Sequence, residues 1–507
     1  MTNINNLNND RYERFSVIVK YFRNYKGYLI VGGLAIIMAN VLSLIIPYLL
    51  KIVFDLLEKK TTSSEILKYV LLMLALAVLS GLFRFLTRRT IVWMSRHLEY
   101  NLRGELFGHL LKLSPSFYDK TRTGDIMARA TNDLEAVRMM TGPGLMYFAN
   151  TLVSLITSLC FMLYLSPRLT LYSSIPMIFF PYAVNKLGNM IHRKFIGIQE
   201  QFSVITATAQ ENLAGIRVVK AYGQEENEID NFARESTRYV DLNMSMARIQ
   251  GTLFPFVYFL SSILTLVILY FGGREVWNNK IELGTMVAFF AYLQSLFWPM
   301  FAIGWVVSLY QRGTASLDRI NRILYAEPDI KNDTPEPFTG PMRGRIEFKN
   351  LRFNYNGKPV LDGITLTVEP SQTLGIVGMT GSGKTTLAVL MARLYPVPRG
   401  QLFIDGTDIN DWDLPSLRKY IGFTPQEPFL FSETIARNIS YGAAEDEEKL
   451  LAAARDAALD KDVSEFPGGY GTVVGERGIT LSGGQKQRTA IARALYNHPA
   501  ILVLDDV

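Results

Sequence analysis

Apolar residues crowd into six long runs in the first three fifths of the chain. The runs span about 28–54, 67–93, 145–165, 169–187, 253–271 and 285–307. A helix that crosses a bilayer needs roughly 20 such residues. Buried helices of a soluble core are the rival reading, but too many runs of spanning length occur together for it. The connections after runs one, three and five are short. Those after runs two and four, about 94–144 and 188–252, are long, polar and helical in pattern. Spans so close to such extensions predict helices that continue into the cytoplasm. Ahead of the first run, 11–27 alternates Arg and Lys with Phe15, Val17, Ile18, Val19 and Tyr21. That pattern fits an interfacial amphipathic helix or an ordinary solvated one.

Composition agrees with a chain that is part membrane and part soluble. Of 507 residues, 49% are hydrophobic and 19% charged, and the length calls for more than one domain. The net charge of +6 suits basic loops at an anionic inner leaflet better than nucleic acid. Lys and Arg gather in the N-terminus and both long loops, which puts these inside the cell. Lys51, Lys59 and Lys60 on the outer side run against the trend. The single cysteine, Cys160, rules out a disulfide framework. Residues 1–10 are rich in Asn and lack the form of a cleaved signal, so the first run stays as an anchor.

Each long loop has a distinctive tip. The first carries Phe117, Tyr118, Asp119, Thr123, Gly124, Asp125, Arg129 and Asp133. The second carries Glu211 through Lys220, with Gly215 inside. Each reads as a short transverse helix that docks on a soluble domain, or else as a solvated loop. Run six is crowded with rings, Phe289, Phe290, Tyr292, Phe297, Trp298, Phe301 and Trp305. These line a greasy cavity or pack against lipid and helices, and none is assigned to a ligand.

After a linker broken by Pro335, Pro337, Gly340 and Pro341, a soluble domain opens near Arg345. Ile346-Glu347-Phe348 and Leu351-Arg352-Phe353 alternate as strand, with Tyr355 just beyond. Its centre is Gly378-Met379-Thr380-Gly381-Ser382-Gly383-Lys384-Thr385-Thr386, which fits the phosphate-loop pattern G-x-x-x-x-G-K-[ST]. The preceding run 374–377 reads as a buried strand, and 387–394 reads as a helix. Glycines let backbone N–H groups close around phosphate oxygens at a helix start. Lys384 can reach the terminal phosphates, and Thr385 can hold Mg²⁺. Gln426 places an amide where it could touch Mg²⁺ or the attacking water. Leu481-Ser482-Gly483-Gly484-Gln485 opens a helix and makes a second anion site, whose natural use is on nucleotide held by another subunit. The apolar strand 501–504 ends in Asp505, suited to Mg²⁺, and Asp506, where a base would polarise water.

Taken together, these motifs resemble the ABC exporter family, of the bacterial multidrug and lipid-flippase half-transporter type, over nearly the whole chain. Residues 378–385 match the Walker A loop, 502–505 the Walker B strand, 481–485 the signature and Gln426 the Q-loop. Tyr355 matches the aromatic that stacks on adenine. Residues 472–478 look like the X-loop, with Val473 where an acid is usual. The loop tips look like the coupling helices. The resemblance implies a bundle of six transmembrane helices (the type IV exporter fold) followed by an α/β P-loop domain, cut after Walker B. The expected parts are a tail and elbow helix at 1–27, a transmembrane domain at 28–325, a linker at 326–344 and an ATP-binding domain at 345–507. The implied cofactors are ATP and Mg²⁺, the latter held by Thr385, Gln426 and Asp505. In a head-to-tail dimer, 481–485 would face the partner's ATP.

Two departures shape the functional expectation. The family's catalytic Glu is here Asp506, one methylene shorter, and a misplacement of ~1 Å can cost roughly a hundredfold in rate. An Asp there resembles one half of a heterodimer with a weak site; a homodimer that tolerates Asp is the alternative. The D-loop and switch-loop histidine have no counterpart before Val507, so the chain as written should hydrolyse ATP poorly. The reading is ATP-driven export of amphipathic drugs, lipids or peptides across the plasma membrane. The N-terminus and ATP-binding domain would be cytoplasmic. The rival is an ATP-gated regulatory or channel-like subunit that hydrolyses little.

Overall fold

The computed structural model describes residues 15–331, 337–355, 357–475, 478 and 481–507; the side chains of 175–178, 180, 181, 183–185, 253, 254, 257, 300 and 301 are not described. The expected tail at 1–14, Pro335 of the linker, and Glu476 and Arg477 of the X-loop lie outside the described residues, as does the Phe301 side chain. The chain divides into two compact units. One comprises Met1–Phe107 and Met127–Ile323, the other Gly108–Ile126 and Leu324–Val507.

The first unit is helical. Helix α1 covers 15–24, α2 Lys26–Glu58 and α3 Ser63–Leu110. Within the second unit, the short α4 covers Pro115–Lys120. Helix α5 spans Thr123–Leu165, and α6 follows at Pro167–Ala214. A second short helix, α7 at Ile216–Ala221, leads to α8 (Glu225–Trp277) and α9 (Leu283–Leu324). Among the described residues, five helical stretches are long and apolar enough to cross a membrane: α2, α3, α5, Tyr258–Trp277 of α8, and α9. The fourth expected run lies inside α6, where many side chains fall outside the described set. Several of these helices run well past bilayer depth: α3 and α6 have 48 residues each and α8 has 53. At 1.5 Å per residue, that is about 70–80 Å.

Burial explains the apolar excess. On α3, Leu67, Leu71, Leu74, Val78, Leu82 and Phe85 all face outward. In water such a stripe would be an aggregation surface; against acyl chains it costs nothing. The interior seams use other residues. Ala288, Phe289, Tyr292 and Leu296 of α9 are fully buried with Leu44 and Met162, and Tyr292 Oη donates to the Leu44 carbonyl at 2.7 Å. Those two rings of run six are therefore packing residues, whereas Trp298 is exposed. α1 buries Ile18 and Tyr21, and Tyr21 Oη donates to Glu105 at 2.5 Å, so it is a docked amphipathic helix.

Helix α5 widens twice into π-turns, at Arg129–Asp133 and Met140–Gly144. Pro143 accounts for the second, since its missing N–H and its ring cannot fit a regular turn. The first aims Asp133 at α9, where it accepts from Arg319 Nε at 2.8 Å and Ser316 Oγ at 3.0 Å.

In the second unit, β1 (Ile346–Tyr355), β2 (Lys358–Val368), β3 (Leu402–Ile404) and β4 (Thr407–Asp408) form an antiparallel sheet in the order β2-β1-β3-β4. β5 (Ile421–Thr424) and β6 (Ile501–Leu504) pair in parallel, with Thr424 opposite Leu504. Phe348, Leu351, Leu402, Ile404, Trp412 and Leu417 form one core. The strand expected at 374–377 is not found. That run makes no ladder, and Leu374, Ile376 and Val377 are exposed. A strand buried on both faces needs neighbours on its edges, and no described strand lies beside it.

Trp412 is fully buried and meets Phe338 edge-on at 4.7 Å. Trp412→Ala should cost about 3–5 kcal/mol. Chemical denaturation of the purified full chain, followed by a probe in the second unit, measures it.

Candidate functional site

The phosphate loop closes at a helix start as its glycines require. Gly381 and Gly383 sit at φ +82° and +94°, in the left-handed region where a side chain is penalised. Ser382 N donates to the Met379 carbonyl at 3.1 Å, tightening the turn. Helix α10 (Lys384–Met391) follows directly, starting three residues earlier than the sequence pattern predicts. Leu387 N reaches the Gly383 carbonyl at 3.0 Å, so the first helical bond caps the loop. A Cβ on Gly383 would come within 2.7 Å of Leu361 Cδ2, which places the β1–β2 hairpin against the loop. Lys384 Nζ folds back to the Gly378 and Met379 carbonyls at 2.7 and 2.9 Å. No ion pair among the described residues includes it.

Two polar pairs gather at the carboxyl ends of β5 and β6. Thr385 Oγ1 donates to Asp505 Oδ1 at 3.1 Å, joining the loop's helix to the strand end. Asp505 is buried, and its N–H donates to the Thr424 carbonyl at 3.0 Å. Gln426 Nε2 donates to Asp506 Oδ2 at 2.9 Å. Asp506 is exposed and adopts φ +52°, a conformation that Asp tolerates better than most residues. The strand register thus assembles an amide, a hydroxyl and two carboxylates beside the phosphate loop. A hydroxyl and a carboxylate are the hard oxygens that Mg²⁺ prefers, so the residues present fit that ion.

The signature lies elsewhere. Ser482 caps α15 (Gly483–Leu495; α11 to α14 being Leu414–Lys419, Ile435–Ile439, Glu447–Asp456 and Asp460–Ser464). Ser482 Oγ accepts from Gln485 N at 3.3 Å, and Gln485 Oε1 accepts from Ser482 N at 2.9 Å. This reciprocal box fixes the helix start. Leu481 is buried, while Ser482, Gly483 and Gly484 are exposed. No hydrogen bond among the described residues joins 481–485 to 378–386. Arg488, two donors to Asp462 at 2.7 and 2.9 Å, ties α15 to α14. That bidentate bond raises the guanidinium above its ordinary pKa.

Tyr355 ends β1, half-buried, with its ring edge-on to Phe353 at 4.9 Å and Tyr395 at 5.2 Å. Tyr395 was not legible as a site residue. Its hydroxyl donates to Asp119 Oδ2 at 2.6 Å, within the same unit. The two loop tips therefore differ. The first, α4, packs as part of the second unit. The second, α7 with its flanks, belongs to the first unit and presents Leu213, Ile216, Val218 and Tyr222 outward. Separately, the first unit holds an apolar cavity of about 470 Å³ between α1, the Met140–Gly144 turn and α9, lined by Phe15, Phe22, Met140, Phe148, Val306 and Tyr310.

Comparison with known proteins places both parts of the chain in one family. Residues 29–300 match the ABC transporter transmembrane region, and 361–507 match the ABC transporter domain. The chain belongs to the ABC transporter family and is a multi-pass membrane protein that joins a helical transmembrane region to an ATP-binding domain. Over 500 residues it is 37% identical to the probable multidrug resistance ABC transporter ATP-binding/permease protein YheI of Bacillus subtilis, covering 97% of this chain and 85% of that one. It is 35% identical over 498 residues to the multidrug resistance-like ATP-binding protein MdlA of Escherichia coli, covering 97% and 84%. An ATP-dependent lipid A-core flippase of Syntrophus aciditrophicus is 32% identical over 505 residues, covering 98% and 83%.

Gly383→Ala should destabilise the loop by about 1–2 kcal/mol from the left-handed backbone alone. The melting temperature of the purified chain, with and without ATP–Mg²⁺, reads this directly.

Proposed function

We propose that the chain is one half of a dimeric exporter that moves amphipathic drugs, lipids or peptides across the plasma membrane at the expense of ATP. The observation that carries the reading is the meeting of Thr385 with Asp505 and of Gln426 with Asp506 at the mouth of the phosphate loop. The names of the relatives support the cargo class, and the apolar cavity in the first unit suits a ligand with few polar groups.

In this reading the amides of 378–386 cradle the phosphates of ATP, and Tyr355 stacks on the base. Lys384 exchanges its two loop carbonyls for phosphate oxygens. Thr385, Gln426 and Asp505 hold Mg²⁺, which neutralises charge on the phosphates when bound. Asp506 orients the attacking water, its carboxylate steadied by the Gln426 amide. Ser482, Gly483 and Gly484 offer N–H groups to ATP on the partner subunit. ATP binding favours the closed dimer, and the loop tips pass that preference to six spans; hydrolysis resets it. The N-terminus and the ATP-binding domain face the cytoplasm.

The partner is a second half-transporter, and a heterodimer is favoured over a homodimer. Asp506 is a methylene shorter than Glu, so its carboxylate is drawn back from the water by about a bond length. This chain then contributes the weak ATP site and lends its intact signature to the strong one. Asp506 also favours a second reading, an ATP-gated regulatory or channel-like subunit.

Inverted membrane vesicles separate the two. Cargo accumulation against a gradient, abolished by Lys384→Ala, is the outcome for an exporter; equilibration without accumulation selects the gated subunit. Asp506→Glu should raise ATP turnover of the purified complex at least tenfold, toward the ~hundredfold that such a displacement can cost. Unchanged turnover removes the weak-site assignment.

A further inference from the structure

The first loop tip is held from two sides, and one of them leads to the base of the nucleotide. Helix α4 has six residues, too few to hold its own orientation, so its tethers decide where it lies. On one side it is fastened to the chain just after α9. Ser114 Oγ accepts from Ile330 N at 3.2 Å and Ser116 Oγ donates to Asp329, while at the end of α3 His109 Nε2 meets the Ala326 carbonyl at 2.9 Å. On the other side Tyr395 Oη donates to Asp119 Oδ2 at 2.6 Å, in the range of a charge-assisted O–H···O⁻ bond. Burial, then the Asp119 bond, raise Tyr395 well above the usual phenol range, so it stays a donor across physiological pH.

The Tyr395 ring does not stand alone. It meets Tyr355 edge-on, with centroids 5.2 Å apart and planes at 87°, and Phe353 at 6.2 Å and 69°. Such edge contacts are directional, and displacing one ring moves the preferred position of the other. Tyr395 also lies four residues past the end of α10, the helix that begins at the phosphate loop. Its ring is thus set against the hairpin, while its hydroxyl grips the tip.

We propose that Tyr395 is a positioning residue that couples occupancy of the nucleotide-base seat at Tyr355 to the orientation of the loop tip at Asp119. The inference rests on Tyr355 being that seat. A base stacked on Tyr355 fixes its ring plane. Tyr395 follows through the edge contact, and Asp119 follows through the hydrogen bond. Phosphate alone in the loop leaves this line untouched. The coupling is reciprocal, so a tip held by Asp119 also favours base binding by the same factor.

The test uses the purified full chain in lipid nanodiscs, with hydrogen exchange of residues 113–122 as the readout. Probes are ATP–Mg²⁺ and tripolyphosphate–Mg²⁺, which fills the loop without a base. In the native chain, ATP should slow exchange of the tip several-fold and tripolyphosphate should not. Tyr395→Phe keeps the ring and loses the hydroxyl. It should abolish the ATP effect, weaken ATP binding by no more than about fivefold and leave the melting temperature in place. Asp119→Asn, whose amide oxygen still accepts, should retain the effect, and Asp119→Ala should lose it. The double variant Tyr395→Phe/Asp119→Ala should be no worse than either single one. A full ATP effect in Tyr395→Phe overturns the proposal, as does an equal effect of tripolyphosphate in the native chain. Tyr355→Ala tests the underlying seat separately. Unchanged ATP affinity there removes the seat, whatever Tyr395 does.

Discussion

The hydrogen bond between Thr385 and Asp505 joins two segments that are 120 residues apart, and the ATP-binding unit is arranged to make it. One partner is the second residue of the helix that leaves the phosphate loop. The other is the residue after β6. For them to meet, β6 must pair in register with β5, the glycines must turn the loop tightly, and the β1–β2 hairpin must back the loop at Gly383. Each condition is met by ordinary means: apolar strand residues, left-handed glycines and close packing at Leu361. The chemistry proposed for the site follows from this meeting, because an oxygen pair at a strand end beside a glycine-rich helix start is what a magnesium–triphosphate needs.

How much was legible in the sequence depends on the range of the interaction. The phosphate loop, the signature cap and the apolar runs are local patterns, and the structure places the loop and cap where those patterns do. The Ser482–Gln485 box is a three-residue affair, and Gly383 announces its own backbone. The failures are long-range. Nothing near 374–377 says that this apolar run will lack neighbours, since strand pairing is decided elsewhere in the chain. Tyr395 looks like one more aromatic after a helix until the fold brings Asp119, 276 residues away, within 2.6 Å. Run six reads as a uniform belt of rings, yet Tyr292 is sealed in the interior and Trp298 is open, a division set by which helix lies opposite.

Loop tips that look alike in pattern end in different circumstances. The first is gathered into the ATP-binding unit by Ser114, Ser116 and Tyr395. The second keeps Leu213, Val218 and Tyr222 uncovered. An apolar cluster left open at the end of two long helices is expensive in water. The asymmetry fits a reading in which the chain acts as half of a larger assembly.

The two helices that carry the second tip have a mechanical consequence. α6 and α8 are fastened side by side by Gln201 to Glu235 at 2.6 Å, Asn212 to Glu228 at 2.9 Å, and the rings of Phe202 and Tyr239 at 6.0 Å. Such cross-links resist sliding of one helix past the other, so a bend would carry both as one oar. Pro255, which lacks the N–H its turn calls for, is a natural oarlock in α8, about 45 Å from the start of that helix. A rocking of only about 5° there would carry the blade roughly 4 Å, more than the length of a hydrogen bond.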